Sequence, residues 1–305
     1  MLITLGKNAK KAASFLGTAG ISEKNQALLM VADALEENKD YLIEENKKDI
    51  VRAKENGMTE ALIDRLALTE ARIAGMSEGI RQVAALEDPI GEVMNMKKRP
   101  NGLLIGQKRV PLGVIGIIYE SRPNVTADAF SLCFKTGNAV ILRGGSDAIC
   151  SNQAITNVIR EALEKSGMMA DAIQLVSDTS RETATKMMQM NGYIDVLIPR
   201  GGAGLIQAVV KNATIPVIET GTGNCHVYVD EFADLDMAVS IIVNAKTQRL
   251  GTCNTCESLV IHSKIAEKAV PAIAKALTEK EIEIRGDERS RSFDDHIVAA
   301  AEEDW

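Results

Sequence analysis

The sequence predicts an α/β fold built around parallel sheets. Downstream of Pro111, short apolar segments alternate with amphipathic helical segments, which is typical of a parallel sheet covered by helices on both faces. The segment 112–119 is apolar throughout, as expected for a strand buried on both sides. A second, shorter series of the same kind follows Asn224, so we expect two α/β domains, 1–224 and 225–305.

The first hundred residues have helical spacing. Leu28, Val31 and Leu35 share one helical face, and Ser22 is placed to cap that helix. Further helical segments are predicted around 42–43, 61–65 and 73–83. Proline and glycine then interrupt the pattern, so residues 89–110 are predicted to form a hairpin or a loop.

Strands and helices follow in alternation. In the first series, the predicted strands are 112–119, 139–142, 173–176, 194–198 and 215–218, and the predicted helices are 126–135, 147–166, 181–190 and 203–212. In the second series, the predicted strands are 226–229, 258–262 and 281–285, and the predicted helices are 235–246 and 265–278. The last twenty residues are polar and have no clear closing element.

Composition excludes several classes of protein. The chain has 305 residues, and its 35 basic and 42 acidic side chains give a net charge of −7, which argues against nucleic-acid binding. Aromatic residues make up 3% of the chain, too few for base-stacking surfaces. No apolar run approaches the roughly 20 residues that span a bilayer. We therefore expect a cytoplasmic protein that binds neither nucleic acid nor membrane.

Cysteine use points to the same compartment. Five cysteines form an odd and low count, so we expect free thiols in a reducing cytoplasm. Lys7, Lys10 and Lys11 precede the first acidic residue, which gives a faint likeness to a transit peptide. An N-terminal helix with a basic face is the favoured alternative.

Polar loops follow four of the predicted strands. They begin at Glu120, Arg143, Pro199 and Glu219, and the last three are rich in glycine. Ligands in open α/β sheets bind beyond the carboxyl ends of the strands, so these loops are expected to share one edge. Thr220 and Gly221 in the fourth loop are included among the candidate cofactor contacts.

Two of these loops predict a phosphate site. Glycine lets backbone N–H groups approach a phosphate, and a helix N-terminus and an arginine both favour its charge. The alternative is an ordinary strand-to-helix turn with a solvated arginine. Because two such loops occur in one predicted sheet, we expect a phosphate-bearing cofactor, although no G-x-G-x-x-G fingerprint is present. The candidate residues are Arg143, Gly144, Gly145 and Ser146 in one loop, and Arg200, Gly201 and Gly202 in the other.

Cys253 is the candidate nucleophile. It lies between a predicted helix and a predicted strand, and the nearby Arg249 favours the reactive thiolate. Cys256 completes a Cys-x-x-Cys pair, but no second ligand pair or thioredoxin context supports zinc or disulfide chemistry. Cys133 and Cys150 fall within predicted helices and are expected in the core.

Cys225 and the histidines are weaker candidates for functional residues. Cys225 begins a predicted strand and could line the site, but packing is the favoured interpretation. The three histidines are scattered, so no metal site is predicted, and no nucleophile elbow supports a Ser–His–Asp triad.

Several long motifs resemble those of the γ-glutamyl phosphate reductases, also called glutamate-5-semialdehyde dehydrogenases, of the aldehyde dehydrogenase superfamily. The similar segments are 111–126, 135–145, 198–202, 218–221, 223–226 and 252–255. The likeness extends from the N-terminal helices to Trp305. Members of that family continue beyond this position, so the resemblance implies a catalytic domain that is incomplete at its C-terminus.

The resemblance implies both a fold and a reaction. The fold is an aldehyde dehydrogenase-like arrangement of a Rossmann-type NADP-binding domain, 1–224, and a catalytic domain, 225–305, with segment 89–110 contributing to oligomerisation. The reaction is the NADPH-dependent reduction of L-glutamyl 5-phosphate to the 5-semialdehyde, with release of phosphate, in proline biosynthesis. Another oxidoreductase of the superfamily and a non-catalytic nucleotide-binding fragment are the alternatives.

The same resemblance implies roles for single residues. Cys253 corresponds to the nucleophile, Asn124 to the amide that holds the oxyanion, and Glu219 to the superfamily's base. Arg143 corresponds to the basic residue that meets the adenosine ribose. Ser146 stands where NAD-preferring relatives carry a glutamate, which agrees with NADP.

The sequence also offers candidate substrate-binding residues, and the resemblance implies protein partners. Arg122 and Arg249 are candidates for the substrate phosphate or carboxylate, and a surface ion pair is the alternative for each. A homo-oligomer is expected, and so is a functional partnership with glutamate 5-kinase.

Overall fold

The chain divides into two compact units. The computed structural model describes residues 1–120, 122–221, 223–250 and 252–304, apart from the side chain of Ala61. Unit 1 is Met1–Thr220 and unit 2 is Gly221–Trp305. No helix in the described ranges combines the length and the apolar character needed to cross a membrane.

Unit 1 begins with five helices. They are α1 (Leu2–Leu16), α2 (Ile21–Glu37), α3 (Lys39–Glu55), α4 (Glu60–Leu66) and α5 (Glu70–Ala85). The predicted cap of α2 is wrong, because Ser22 lies inside the helix and Gly20 is the N-cap. The Glu23 carboxylate accepts a hydrogen bond from the Gly20 N–H at 2.7 Å, so a side chain reaching back from the first turn stabilises this end.

A two-stranded antiparallel hairpin follows. Strand β1 (Val93–Lys98) pairs with β2 (Leu104–Lys108), and every residue of both strands is exposed. Apolar side chains that are each more than half exposed include Val93, Met94, Met96, Leu104 and Ile105. The hairpin therefore presents an apolar surface to solvent.

The central sheet of unit 1 is parallel. Its strands are β3 (Val114–Tyr119), β4 (Ala139–Arg143), β5 (Ile173–Leu175) and β6 (Val196–Arg200), in the order β5-β4-β3-β6. The connecting helices are α6 (Asn124–Lys135), α7 (Ile149–Lys165), α8 (Arg181–Met188) and α9 (Ala203–Asn212), and a 3₁₀ turn, Ser146–Ala148, precedes α7. All six residues of β3 are buried, which confirms the predicted strand from 114 to 119, whereas Leu112 is exposed and precedes the strand.

The strand predicted over 215–218 is reduced to a single bridge. Val217 pairs with Leu197 in a parallel bridge, and hydrogen bonds to β6 involve the carbonyl of Pro216 and the N–H of Ile218. Pro216 has no N–H to donate, so the pairing does not extend into a regular strand.

Unit 2 contains a smaller parallel pair of strands. Strand β7 (Cys225–Val229) pairs with β8 (Cys256–Ile261), and helices α10 (Leu235–Thr247) and α11 (Ala266–Thr278) contribute to its core. Short elements follow: β9 (Arg285–Gly286), α12 (Glu288–Arg291) and β10 (Val298–Ala299). The two units confirm the predicted α/β class with parallel sheets.

The strand predicted over 281–285 is mostly wrong. Only Arg285 and Gly286 pair, and their partners are Val298 and Ala299 of β10. Glu281 has a φ of 59°, and the Ile282 N–H donates to the Leu277 carbonyl at 3.1 Å. These residues complete the end of α11, so they are not available to a strand.

Candidate active site

Three loops of unit 1 begin at the same edge of the sheet. The parallel register places Ile118 opposite Arg143, and Tyr119 opposite Arg200. The chain then leaves β3, β4 and β6 at Glu120, Gly144 and Gly201. The predicted cofactor loops and the loop carrying Asn124 therefore lie beyond the carboxyl ends of neighbouring strands, where α/β sheets bind ligands.

Hydrogen bonds from Arg143 connect its loop to the segment after β5. Its Nη2 donates to the Thr179 carbonyl and, at 3.4 Å, to the Ser180 carbonyl. Burial lowers the pKa of Arg143, and the nearby Asp178 opposes that shift. The Nε donor is buried and has no hydrogen-bond partner among the described residues. Within the part of the chain that the structure describes, Arg143 therefore has one N–H without a partner at the predicted cofactor site.

Gly144 lies directly over a buried polar chain. A Cβ at this position would be 2.2 Å from Asn152 Nδ2 and 3.1 Å from Tyr119 Cζ. Below it, the Tyr119 hydroxyl lies 2.7 Å from Thr126 Oγ1, which donates to Asn152 Oδ1 at 3.0 Å. Burial raises the pKa of Tyr119, so its hydroxyl stays protonated. Only glycine allows the loop to approach this network so closely.

The loop continues to Ser146 against helix α3. Ser146 is exposed, and its carbonyl accepts a hydrogen bond from Arg52 Nη1 at 3.3 Å. Arg52 Nη2 donates to the Cys150 sulfur at 3.2 Å. The prediction that Cys150 is a core residue is therefore wrong: it is half-buried and faces a guanidinium, because it lies in the first turn of α7, where a tertiary contact reaches it.

Asp49 caps helix α7 from another helix. This fully buried carboxylate accepts from the N–H groups of Cys150 and Ser151 at 3.2 and 2.8 Å, and from Ser151 Oγ at 2.6 Å. The helix N-terminus carries partial positive charge, which the carboxylate neutralises. Asp49 therefore fixes the start of the helix that follows the predicted cofactor loop.

The second glycine loop holds a carboxylate of the protein itself. Glu120 Oε2 accepts a hydrogen bond from the Gly202 N–H at 3.1 Å. A Cβ at Gly201 would be 2.6 Å from Glu120 Cδ. Gly202 is the N-cap of α9, so an anion already occupies part of the predicted phosphate site.

Asn124 begins helix α6. Its Nδ2 donates to Asp128 Oδ2 at 2.9 Å, four residues along the same helix. The carboxamide also carries a second N–H besides the one that Asp128 accepts. Backbone hydrogen bonds from Arg122 N to Glu120 O at 2.7 Å and from Val125 N to Arg122 O at 3.1 Å shape the turn before it.

Cys253 in unit 2 lies on a turn held by two hydroxyls. The Thr255 N–H donates to the Thr252 carbonyl at 3.2 Å, and both threonine hydroxyls donate to the Arg249 carbonyl, at 3.1 and 2.8 Å. Cys253 is exposed, and its own N–H takes no part in the hydrogen bond that closes the turn. The turn therefore exposes the Cys253 residue.

The other cysteines differ in exposure. Cys133 is in the core as predicted, and burial raises the pKa of its thiol from 9.0 to about 12. Cys256 is also buried, and its pKa is raised mainly by that burial. Cys225 is half-buried, and its Sγ donates to the Cys253 carbonyl at 3.5 Å.

The remaining predicted residues lie on the surface of their units. Glu219 and Thr220 are exposed at the end of unit 1, Gly221 is exposed in unit 2, and Arg249 is exposed beside the Cys253 turn. No group of three or more His, Cys, Asp or Glu side chains within the described ranges could hold a metal ion.

Sequence reasoning missed the roles of Glu120, Asn152 and Asp49. Glu120 and Gly202 are 82 residues apart, and Asp49 and Ser151 are 102 residues apart. No local pattern connects such pairs. The one available signal was that Glu120 directly follows a predicted buried strand, at the edge where ligands bind.

Comparisons with known proteins agree with this architecture. Residues 4–292 match the aldehyde dehydrogenase family. A gamma-glutamyl phosphate reductase of Lachnospira eligens is 62% identical over 301 residues, which cover 99% of this chain and 72% of that protein. The crystal structure of the Thermotoga maritima enzyme of that name matches with a TM-score of 0.92 and 45% identity, covering 100% of this chain and 73% of that one. The Saccharomyces cerevisiae counterpart matches with a TM-score of 0.66 and 31% identity, covering 96% and 73%.

The chain belongs to the aldehyde dehydrogenase family. Within that family, its similarity to the gamma-glutamyl phosphate reductases is confirmed by sequence and by structure.

Proposed function

We propose that the chain is an oxidoreductase that reduces L-glutamyl 5-phosphate to L-glutamate 5-semialdehyde with NADPH and releases phosphate, the second step of proline biosynthesis from glutamate. The observation that carries this proposal is the exposed Cys253 thiol on its hydroxyl-held turn. Relatives with the name of that enzyme match 99% of the chain, which supports the choice of substrate.

Cys253 is the nucleophile in this proposal. Its thiolate attacks the acyl carbon of the acyl phosphate, and phosphate leaves with the bonding electron pair, so a thioester forms. Phosphate is a good leaving group, and this step needs little acid catalysis. When bound, the nicotinamide cofactor supplies the hydride that reduces the acyl group to the aldehyde.

Two donors stabilise the charge that develops on the acyl oxygen. We assign this role to the second N–H of the Asn124 carboxamide and to the backbone N–H of Cys253, as the resemblance to the reductases implies. Removing one donor of this kind costs about 3 kcal/mol of transition-state stabilisation in other enzymes.

Two arginines bind the substrate in this proposal. Arg122 and Arg249 are proposed to hold its phosphate or carboxylate, because arginine pairs with both groups through two parallel hydrogen bonds. Glu219 belongs to the site, but reduction adds no water and does not require it as a hydrolytic base.

The residues of the two glycine loops fit a nicotinamide dinucleotide. Gly144 and Gly201 let the two loop backbones lie against Asn152 and Glu120, where a Cβ would clash, and the buried Arg143 Nε lacks a partner among the described residues. We assign Gly145, Arg200, Gly202, Thr220 and Gly221 to the same cofactor. Ser146 is exposed and uncharged, so it adds no negative charge where the 2′-phosphate of NADPH would bind.

The hairpin supports our proposal of a homo-oligomer. Its two strands expose apolar side chains on both faces, which is unusual for surface that remains in water. We propose that segment 89–110 packs against another copy of the chain, and light scattering of the purified protein tests this.

We also propose that the enzyme is located in the cytoplasm and works in a functional partnership with glutamate 5-kinase, which supplies the acyl phosphate.

The test uses the reverse reaction. L-Glutamate 5-semialdehyde and NADP⁺ are mixed with the protein, and NADPH formation is measured with and without phosphate. We expect phosphate-dependent turnover, and a loss of at least about 1,000-fold in kcat for Cys253→Ala but not for Cys256→Ala. Turnover without phosphate would support a hydrolytic aldehyde dehydrogenase instead. If the kcat of Cys253→Ala is within about tenfold of the parent value, Cys253 is not the nucleophile.

A further inference from the structure

Three cysteines of unit 2 gather at one end of its strand pair. Cys225 and Cys256 begin the parallel strands β7 and β8 and face each other in the register. Cys253 lies on the turn that precedes β8. The register shifts after Cys225, because His226 pairs with Ser258 and leaves Glu257 as an extra residue. Such bulges redirect side chains and often lie beside functional sites.

The three thiols differ in access to solvent. Cys253 is exposed and Cys225 is half-buried, whereas Cys256 is buried. Burial raises the pKa of Cys256, and its Sγ donates to the Ser258 carbonyl at 3.5 Å. Because the thiolate is the reactive form, oxidation is expected at Cys253 first and is disfavoured at Cys256.

Cys225 is the thiol placed against Cys253. Its Sγ lies 3.5 Å from the Cys253 carbonyl oxygen, so it contacts the very residue whose side chain is exposed. Cys253 is exposed on a surface turn, so its side chain and that turn are the parts that must move for the two sulfurs to meet.

We propose that Cys225 is a resolving thiol, and that Cys225 and Cys253 form a reversible disulfide when the protein meets a peroxide. This proposal goes beyond the proposed function, because bond formation requires neither substrate nor cofactor. The disulfide would block Cys253 and also protect it from irreversible oxidation to the sulfinic or sulfonic acid.

The chemistry proceeds in two balanced steps with hydrogen peroxide as the oxidant. The Cys253 thiolate attacks one peroxide oxygen, an S–O bond forms as the O–O bond breaks, and hydroxide leaves. The Cys225 thiolate then attacks the sulfenic sulfur, an S–S bond forms as the S–O bond breaks, and the second oxygen leaves as hydroxide. The two hydroxides take up the protons that the two thiols released and become water. Two thiols are oxidised, one peroxide is reduced to two waters, and the chain loses two hydrogen atoms.

The test is peptide mapping after mild peroxide treatment of the intact protein. Trypsin cleavage after lysine and arginine places Cys225 in peptide 212–246, and places Cys253 and Cys256 together in peptide 250–264. Because Cys253 and Cys256 share one peptide, variants are needed to show which of them is linked to Cys225. Cys225→Ser keeps a hydroxyl that can donate to the Cys253 carbonyl, Cys256→Ser is the matched control, and thermal unfolding verifies that both variants are folded.

The expected result is a linked pair of these peptides in the parent and in Cys256→Ser, and its release by dithiothreitol. In Cys225→Ser the link is expected to be absent, and Cys253 is expected to gain two or three oxygen atoms at least about fivefold faster. Three results would each overturn the proposal: a Cys253–Cys256 link within peptide 250–264, loss of the link in Cys256→Ser, or equal protection of Cys253 in Cys225→Ser.

Discussion

The carboxylate of Glu120 accepts a hydrogen bond from the backbone N–H of Gly202 at 3.1 Å, at the first turn of helix α9. A helix N-terminus stabilises an anion, and in the free protein that anion is Glu120. Any cofactor phosphate that approaches Gly201 and Gly202 meets this negative charge.

Replacing Glu120 by Gln should therefore strengthen NADPH binding. The amide oxygen can still accept from Gly202, but the repulsion of phosphate is removed, so we expect Kd to fall by roughly two- to fivefold at low salt. Fluorescence titration measures this, and Glu161→Gln on the exposed face of α7 is the control. Weaker binding by Glu120→Gln would show that the carboxylate itself holds the cofactor.

Gly144→Ala should damage the first glycine loop. The new methyl group would be 2.2 Å from the Nδ2 atom of the fully buried Asn152, so the loop or this side chain must shift within the packed interior. We expect a loss of roughly 1–3 kcal/mol in the free energy of unfolding and weaker NADPH binding.

Gly204→Ala is the matched control for this change. No atom lies within 4 Å of a Cβ at Gly204, which is in helix α9, so alanine should leave stability unchanged or raise it by up to about 1 kcal/mol. Equal effects of the two substitutions would contradict the steric explanation.

Asp49→Ala should destabilise unit 1. It removes the buried carboxylate that accepts from Cys150, Ser151 N and Ser151 Oγ, and it leaves these donors without an acceptor. We expect a cost of roughly 2–4 kcal/mol, measured by thermal unfolding. Glu44→Ala on the same helix removes only an exposed pair with Lys47 and should cost less than about 0.5 kcal/mol.

Alkaline pH should destabilise the protein partly through Cys133. Burial raises the pKa of this thiol from 9.0 to about 12, so the folded state retains a proton that the unfolded state releases. The buried Cys133 thiol makes its full contribution to the free energy of unfolding below pH 9. This contribution is lost as pH rises toward 12, by at most about 1.4 kcal/mol per pH unit. The stability difference between the parent and Cys133→Ala should narrow between pH 8.5 and 10, and a constant difference would contradict this.

The sequence predicted the elements whose burial is uniform. Strand β3 and helix α7 were found because continuous or periodic apolar residues reflect their packing directly. Ser22 was misassigned because Gly20 is capped by a side chain from within the helix. Two predicted strands are shorter than expected or absent, because Pro216 lacks a backbone N–H and Glu281 has a positive φ. The pattern of apolar residues does not reveal either of these backbone properties.

The candidate site divides in the same way. Its glycine loops and Cys253 stood out because backbone approach and nucleophilic attack demand particular residue types. The contacts of Glu120, Asp49 and Cys225 join residues far apart in the chain, so only the folded structure brings them together.

The most direct measurement is the mass of the protein after incubation with L-glutamate 5-semialdehyde and NADP⁺ in phosphate-free buffer. Without phosphate to release the acyl group, a glutamyl thioester should accumulate on Cys253, accompanied by one NADPH per adduct, and added phosphate should discharge it. Peptide 250–264 should carry the adduct in Cys256→Ser and lack it in Cys253→Ser. An adduct that persists in Cys253→Ser, or phosphate-dependent turnover with no adduct at all, would contradict covalent catalysis by Cys253.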